Sequence, residues 1–126
     1  MKILLSLLLL FSLSAQASIG GVILHEGTGQ VERSEDGSEV VTEKELDIFS
    51  DDIVKTGKGK TAIQFVDDTR VDITEHSKLI IDAFVYDPET STGSLSIKAS
   101  LGTIRYASGL IAKNSKQNVK IQTPTA

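Results

Sequence analysis

The chain is 126 residues long, carries a formal net charge of -4, and contains neither cysteine nor tryptophan. A chain of that size supports one packed domain, and without thiols its stability must come from packing, with no disulfide staple and no thiolate metal ligand. The negative charge and the few aromatics, which are not interleaved with the lysines, argue against a nucleic-acid-binding surface.

The first elements in chain order belong to a leader. Lys2 supplies a positive start, Ile3 to Leu13 an apolar stretch, and Ala15-Gln16-Ala17 a small-x-small cleavage site, which predicts a signal peptide over residues 1–17 cut between Ala17 and Ser18. The apolar stretch is well short of the ~20 residues that cross a hydrocarbon layer. No cysteine lies near the cut to carry a lipid, and no later segment could span a membrane. The expectation is therefore an exported chain, periplasmic or extracellular in a Gram-negative-type bacterium, with no transmembrane anchor after cleavage and one domain over residues 18–126.

Beyond the leader, apolar residues alternate with polar ones in short runs, and glycine or Asx-rich breaks recur about every ten residues, the pattern of an all-β chain. No segment offers a convincing helix. Ser34 to Gly37 reads as a surface loop. At Asp67-Asp68 a two-residue turn would place Ile63 and Phe65 on the opposite face from Val71 and Ile73. A three-residue loop of Val66, Asp67 and Asp68 instead pairs Phe65 with Thr69 and Ile63 with Val71, collecting the four apolar side chains on one face. Asp68 must then be left-handed, a conformation that glycine adopts more cheaply.

Leu79 to Tyr86 is apolar on both sides except at Asp82, which predicts a central strand between two layers. Asp87 to Gly93 reads as another loop. One-sided strands follow, with Leu95, Ile97 and Ala99, then Ile104 and Tyr106, then Val119 and Ile121 facing inward. Together these elements predict a single small all-β domain.

Charge is unevenly distributed. Glu26 to Asp52 holds ten acidic residues against Arg33 and Lys44, whereas every charged side chain after Glu89 is basic: Lys98, Arg105, Lys113, Lys116 and Lys120. These ends are electrostatically complementary, and the basic one could attract an acidic partner.

Catalytic and metal-binding patterns are weak. His76 falls in the polar turn Glu75-His76-Ser77 and His25 closes an apolar run. Asp51-Asp52 and Asp67-Asp68 supply the hard oxygens that calcium or acid-base chemistry would use, but adjacent carboxylates more commonly mark turns. Asp52 is expected to accept backbone amides where a strand begins, and Asp67 to do so within its loop. There is no phosphate-cradling glycine loop before a helix and no activated-serine arrangement. No enzyme activity, cofactor or metal is expected.

Several of these motifs occur in a recognisable order. Asp52-Ile53-Val54-Lys55-Thr56-Gly57 is followed by Ala62-Ile63-Gln64-Phe65, Asp67-Asp68-Thr69 and Ser77-Lys78-Leu79. Gly102-Thr103-Ile104-Arg105, Ser108-Gly109-Leu110-Ile111-Ala112-Lys113 and Asn118-Val119-Lys120-Ile121-Gln122-Thr123-Pro124-Thr125-Ala126 complete the series. The set resembles the FecR domain, an exported all-β bacterial module, over most of the mature chain. On that resemblance Asp52, Thr56, Gly57, Phe65, Asp67, Thr69, Gly102, Gly109, Thr123 and Pro124 are the motif positions, with structural roles.

The chain departs from the pattern at Asp68, where glycine is usual, and at Thr-Pro-Thr-Ala, where relatives run on into a Gly-Ile-Arg-Gly-Thr strand. If that strand is missing, the edge from Val119 to Thr123 is open to another chain. The resemblance implies an all-β fold of short stacked strands, either a small twisted sandwich or, as the favoured description, a brief β-solenoid, and a sensing or docking role in the periplasm. The family's namesake relays the state of an outer-membrane iron-siderophore transporter to a sigma factor. Neither its cytoplasmic sigma-binding segment nor its spanning helix is expected here, so only the periplasmic sensing or docking role would carry over.

The function expected is a non-catalytic interaction or signalling module whose partner is an envelope protein, with Lys113, Lys116 and Lys120 as contact residues. The alternative is an envelope or cell-surface module that binds polysaccharide, for which the mature chain offers only Tyr86 and Tyr106 as stacking platforms beyond its phenylalanines.

Overall fold

The computed structural model describes residues 17–124. The expected leader over residues 1–17 lies, but for Ala17, outside the described residues, as do residues 125–126.

Among the described residues the chain forms nine strands in one mixed sheet: β1 (Gly20–Glu32), β2 (Glu39–Val41), β3 (Asp47–Ile48), β4 (Ile53–Phe65), β5 (Arg70–Ile73), β6 (Lys78–Asp87), β7 (Thr92–Leu101), β8 (Ile104–Ala107) and β9 (Val119–Gln122). Its spine is the antiparallel ribbon of the two 13-residue strands, β1 and β4. The sheet forks at each end of that ribbon. Where Gly20 meets Phe65, β3 joins β1 and the pair β5–β8 joins β4; where Glu32 meets Ile53, β2 joins β1 and β6–β7–β9 joins β4. Register shifts after Val22 and Gly27 interrupt the ribbon between its forks, and such bulges bend a strand pair and increase its twist.

The bend allows the two half-sheets to share one core. Phe65, at the far end of β4, stacks on Phe84 of β6 with ring centroids 5.2 Å apart, although those parts of the strands are not hydrogen-bonded neighbours. Ile48, Val54, Ile63, Ile73, Ile81 and Ile97 fill the space between. The expected small all-β domain is thus present. Its strands form one open mixed sheet, in which the β7–β9 pairing alone among the described residues is parallel.

The hairpin register expected at Val66-Asp67-Asp68 is observed. Ile63 pairs with Val71, the amide of Phe65 donates to the carbonyl of Thr69, and Asp68 is left-handed with φ 71°. Ile63, Phe65, Val71 and Ile73 are all buried on one face. The inward rows Leu95-Ile97-Ala99, Ile104-Tyr106 and Val119-Ile121 also lie as expected.

Two expectations need correction. The segment from Leu79 to Tyr86 does lie between two strands, but it is not buried on both sides along its length. β6 is bonded to β4 only through Lys78–Ile80, Asp82 is the extra residue of a bulge against β7, and the hairpin beyond it projects with Val85 63% exposed. A helix is also present. Leu110–Asn114 forms a single short α-helix (α1), followed by a 3-10 turn over Lys116–Asn118. Five residues are too few to show helical periodicity, and an isolated helix of that length would not survive the cost of nucleation. It forms because two of its amides, those of Leu110 and Ile111, are anchored to Asp67.

Candidate functional site

Most of the motif residues assemble into three buried polar clasps, while Phe65 lies in the hydrophobic core. In the first, Asp52 is 2% exposed and one carboxylate oxygen accepts from the Phe49 amide at 2.8 Å and from the Arg33 guanidinium. Arg33 also lies 5.0 Å over the Phe49 ring. Burial raises the Asp52 pKa above its ordinary range, opposed by the Phe49 amide and by the charge of Arg33. Sequence patterning did not reveal Arg33 in this role, although a cation in an acidic run that holds only one other, Lys44, was the available signal.

The second clasp joins β4 to the β5–β6 turn and the β7–β8 turn. The Thr56 hydroxyl donates to the Thr74 carbonyl at 2.6 Å and accepts from the Ser77 amide at 2.9 Å. The amide of Thr103 donates to the Ser77 hydroxyl at 3.2 Å. Gly102 sits against Ser77 at φ 80°, where a Cβ would overlap the serine side chain. Beside it, Gly57 accepts from the His76 amide at 2.9 Å.

The third clasp surrounds Asp67, which is fully buried. Its carboxylate accepts from the Thr69 amide at 3.0 Å, the Thr69 hydroxyl at 2.8 Å and the Ile111 amide at 3.1 Å. Its carbonyl accepts from the Leu110 amide at 2.8 Å. Asp67 therefore ties the β4–β5 loop to the start of α1, 44 residues later. Gly109 passes so close that a Cβ would collide with backbone atoms of Asp67 and Thr69 and come within 2.7 Å of the Thr69 hydroxyl. Thr123 and Pro124 join none of these clasps and lie exposed beyond β9.

The paired carboxylates do not converge. Asp52 and Asp67 are buried in their clasps, whereas Asp51 and Asp68 are exposed and left-handed. His25 is held by the Thr61 hydroxyl at 2.9 Å and the Gly27 carbonyl at 3.1 Å, and His76 is an exposed turn residue. Among the described residues no three His, Cys, Asp or Glu side chains are grouped as metal ligands.

Beside the third clasp lies an open cleft of about 710 Å³, bordered by Asp68, Tyr106, Leu110, Lys113, Lys116 and Val119. Tyr106 packs against the core and its buried hydroxyl has no hydrogen-bond partner; burial, and then the charge of Asp67, raises its pKa. Tyr86 also packs against the core. Lys113 and Lys116 stand exposed at the cleft, and β9 begins at its border with Val119. Lys120 is exposed on the outer row of β9, beside Lys98 of β7 through the parallel pairing of Ser96 with Lys120 and Lys98 with Gln122. None of these four lysines has an ion-pair partner among the described residues. β9 ends the strand path, so one of its edges carries no strand among the described residues. The structure thus brings the three lysines singled out from sequence to one margin of the domain, along the cleft and the open edge.

Among the described residues no helix is long and apolar enough to cross a membrane. No family model matches the chain, and no curated protein and no solved structure shows significant similarity to it.

Proposed function

We propose that this chain is an exported, non-catalytic interaction module that captures an extended, acidic segment of an envelope protein at its β9 margin. The observation that supports this reading is the conjunction of an open strand edge with Lys113, Lys116 and Lys120, all exposed and without internal counter-ions among the described residues. An added strand would gain main-chain hydrogen bonds from β9 and charge selection from the lysines. The order and spacing of the clasp motifs support a FecR-like assignment, and with it a docking or sensing role in the periplasm. Asp52, Thr56, Asp67, Thr69, Gly102 and Gly109 serve as scaffold in this reading.

Site-specific photo-crosslinking in cells at positions 116 and 120 tests the proposal, with charge reversal of Lys113, Lys116 and Lys120 as the comparison. One reproducible protein partner is expected, its capture weakened by reversal and by added salt. Capture unchanged by reversal overturns the role of the lysines. A folded domain that captures no protein overturns the protein partner and favours polysaccharide.

A further inference from the structure

We infer that a second copy of this chain is itself a partner for the β9 edge, presenting β2, so that molecules join head to tail through strands at opposite margins. The inference rests on the reading of β9 as a docking edge and names an occupant for it. In the strand path β2-β1-β4-β6-β7-β9, each terminal strand has one edge without a strand neighbour among the described residues. The two are similar in length, three residues in β2 and four in β9.

Their charges are opposite. β2 begins with Glu39, which lies directly across from Glu32 of β1, and Glu35, Asp36 and Glu43 flank it in sequence. Lys55 is the ion-pair partner of both Glu39 and Glu32, leaving this margin with excess negative charge. Beside Glu39, Val41 is 64% exposed, an apolar side chain without cover.

The charges also choose the pairing. Joining β9 to β9 would place Lys120 of each copy against the other's basic edge, and joining β2 to β2 would oppose Glu39 to another acidic edge; like charges facing across strands are destabilising. Joining β9 to β2 opposes unlike charges. The side-chain rows agree as well. Antiparallel pairing of Val40 with Val119 would continue the inward apolar row and set Glu39 directly opposite Lys120 on the outward row. Such a contact uses two different surfaces of the same molecule, so it builds a ring where the rotation between copies closes and an open chain where it does not.

Sedimentation velocity of the purified protein, at low and at high salt over a range of concentrations, tests the inference. The expected result is association that grows with concentration and is lost at high salt. Glu39→Lys alone and Lys120→Glu alone should each weaken it roughly tenfold, and the double reversal should restore it. An alternative β9-to-β9 contact predicts that Glu39→Lys has no effect.

Circular dichroism of each variant establishes that it is folded. A parent protein that stays monomeric at low salt throughout the range overturns the inference, as does a folded double reversal that fails to recover association. The same samples are mixed with a fluorescent acidic peptide: a monomer that still binds the peptide through β9 overturns only the self-pairing, and a monomer that binds nothing overturns the docking reading too.

Discussion

The Asp67 clasp and the β9 margin share a border at the cleft, yet they use polar groups in opposite ways. In the clasp a fully buried carboxylate meets three donors and every partner is internal. At the margin the lysines are exposed and lack internal partners among the described residues. A buried polar group costs free energy unless it is satisfied, so clasp residues are fixed by folding. Exposed charges are not fixed in this way and remain available to a partner. Clasp residues and the exposed lysines of the margin are therefore different populations, although they are neighbours.

The comparison fails if clasp and margin respond alike to mutation. The largest effect is expected from Asp67→Ala, which strands the Thr69 and Ile111 amides in a buried site and should cost on the order of 4 kcal/mol in urea unfolding. Gly109→Ala should follow at about 3 kcal/mol, since the obstructing atoms are backbone and cannot rotate away.

Asp52→Asn sharpens the comparison through pH. Burial raises the Asp52 pKa in the folded state, so its contribution to stability is complete below its ordinary pKa and declines as pH rises through the raised one. The penalty for Asp52→Asn should therefore be greatest in acid and shrink toward neutrality. The opposite slope would mean that the Arg33 pair outweighs desolvation.

A smaller effect, of opposite sign, is expected at the cleft. Asp68→Gly relieves a left-handed aspartate and should stabilise by about 1 kcal/mol, read as a melting temperature raised by roughly 4 °C. Reversing Lys113, Lys116 and Lys120 together should leave the melting temperature within about 3 °C of the parent while weakening partner binding. If it unfolds the domain, the margin is scaffold like the clasp.

Much of the strand arrangement is legible because alternation has a period of two and a register slip of one residue would expose the core. Ile63, Phe65, Val71 and Ile73 illustrate this, since the alternation of these four residues around the turn already demands the three-residue loop. The expectation for β6 fails for a related reason. Apolar residues at successive positions look like two-sided burial, but the bulge at Asp82 changes which positions face inward, and Val85 reaches solvent on a projecting hairpin. Arg33 is legible as one of two cations in an acidic run but not as the partner of Asp52, because their meeting depends on how β1 lies beside β4.

The all-β class, the inward rows, the turn at Asp68 and the separation of acidic from basic segments are all encoded locally, because each follows from backbone stereochemistry or from simple order along the chain. That α1 exists, that Gly109 must be small and that the two charged segments occupy opposite open edges emerge only once the chain is folded. Those features depend on contacts between residues far apart in sequence, such as Asp67 with Ile111, and on the order in which strands pair, neither of which local patterning encodes.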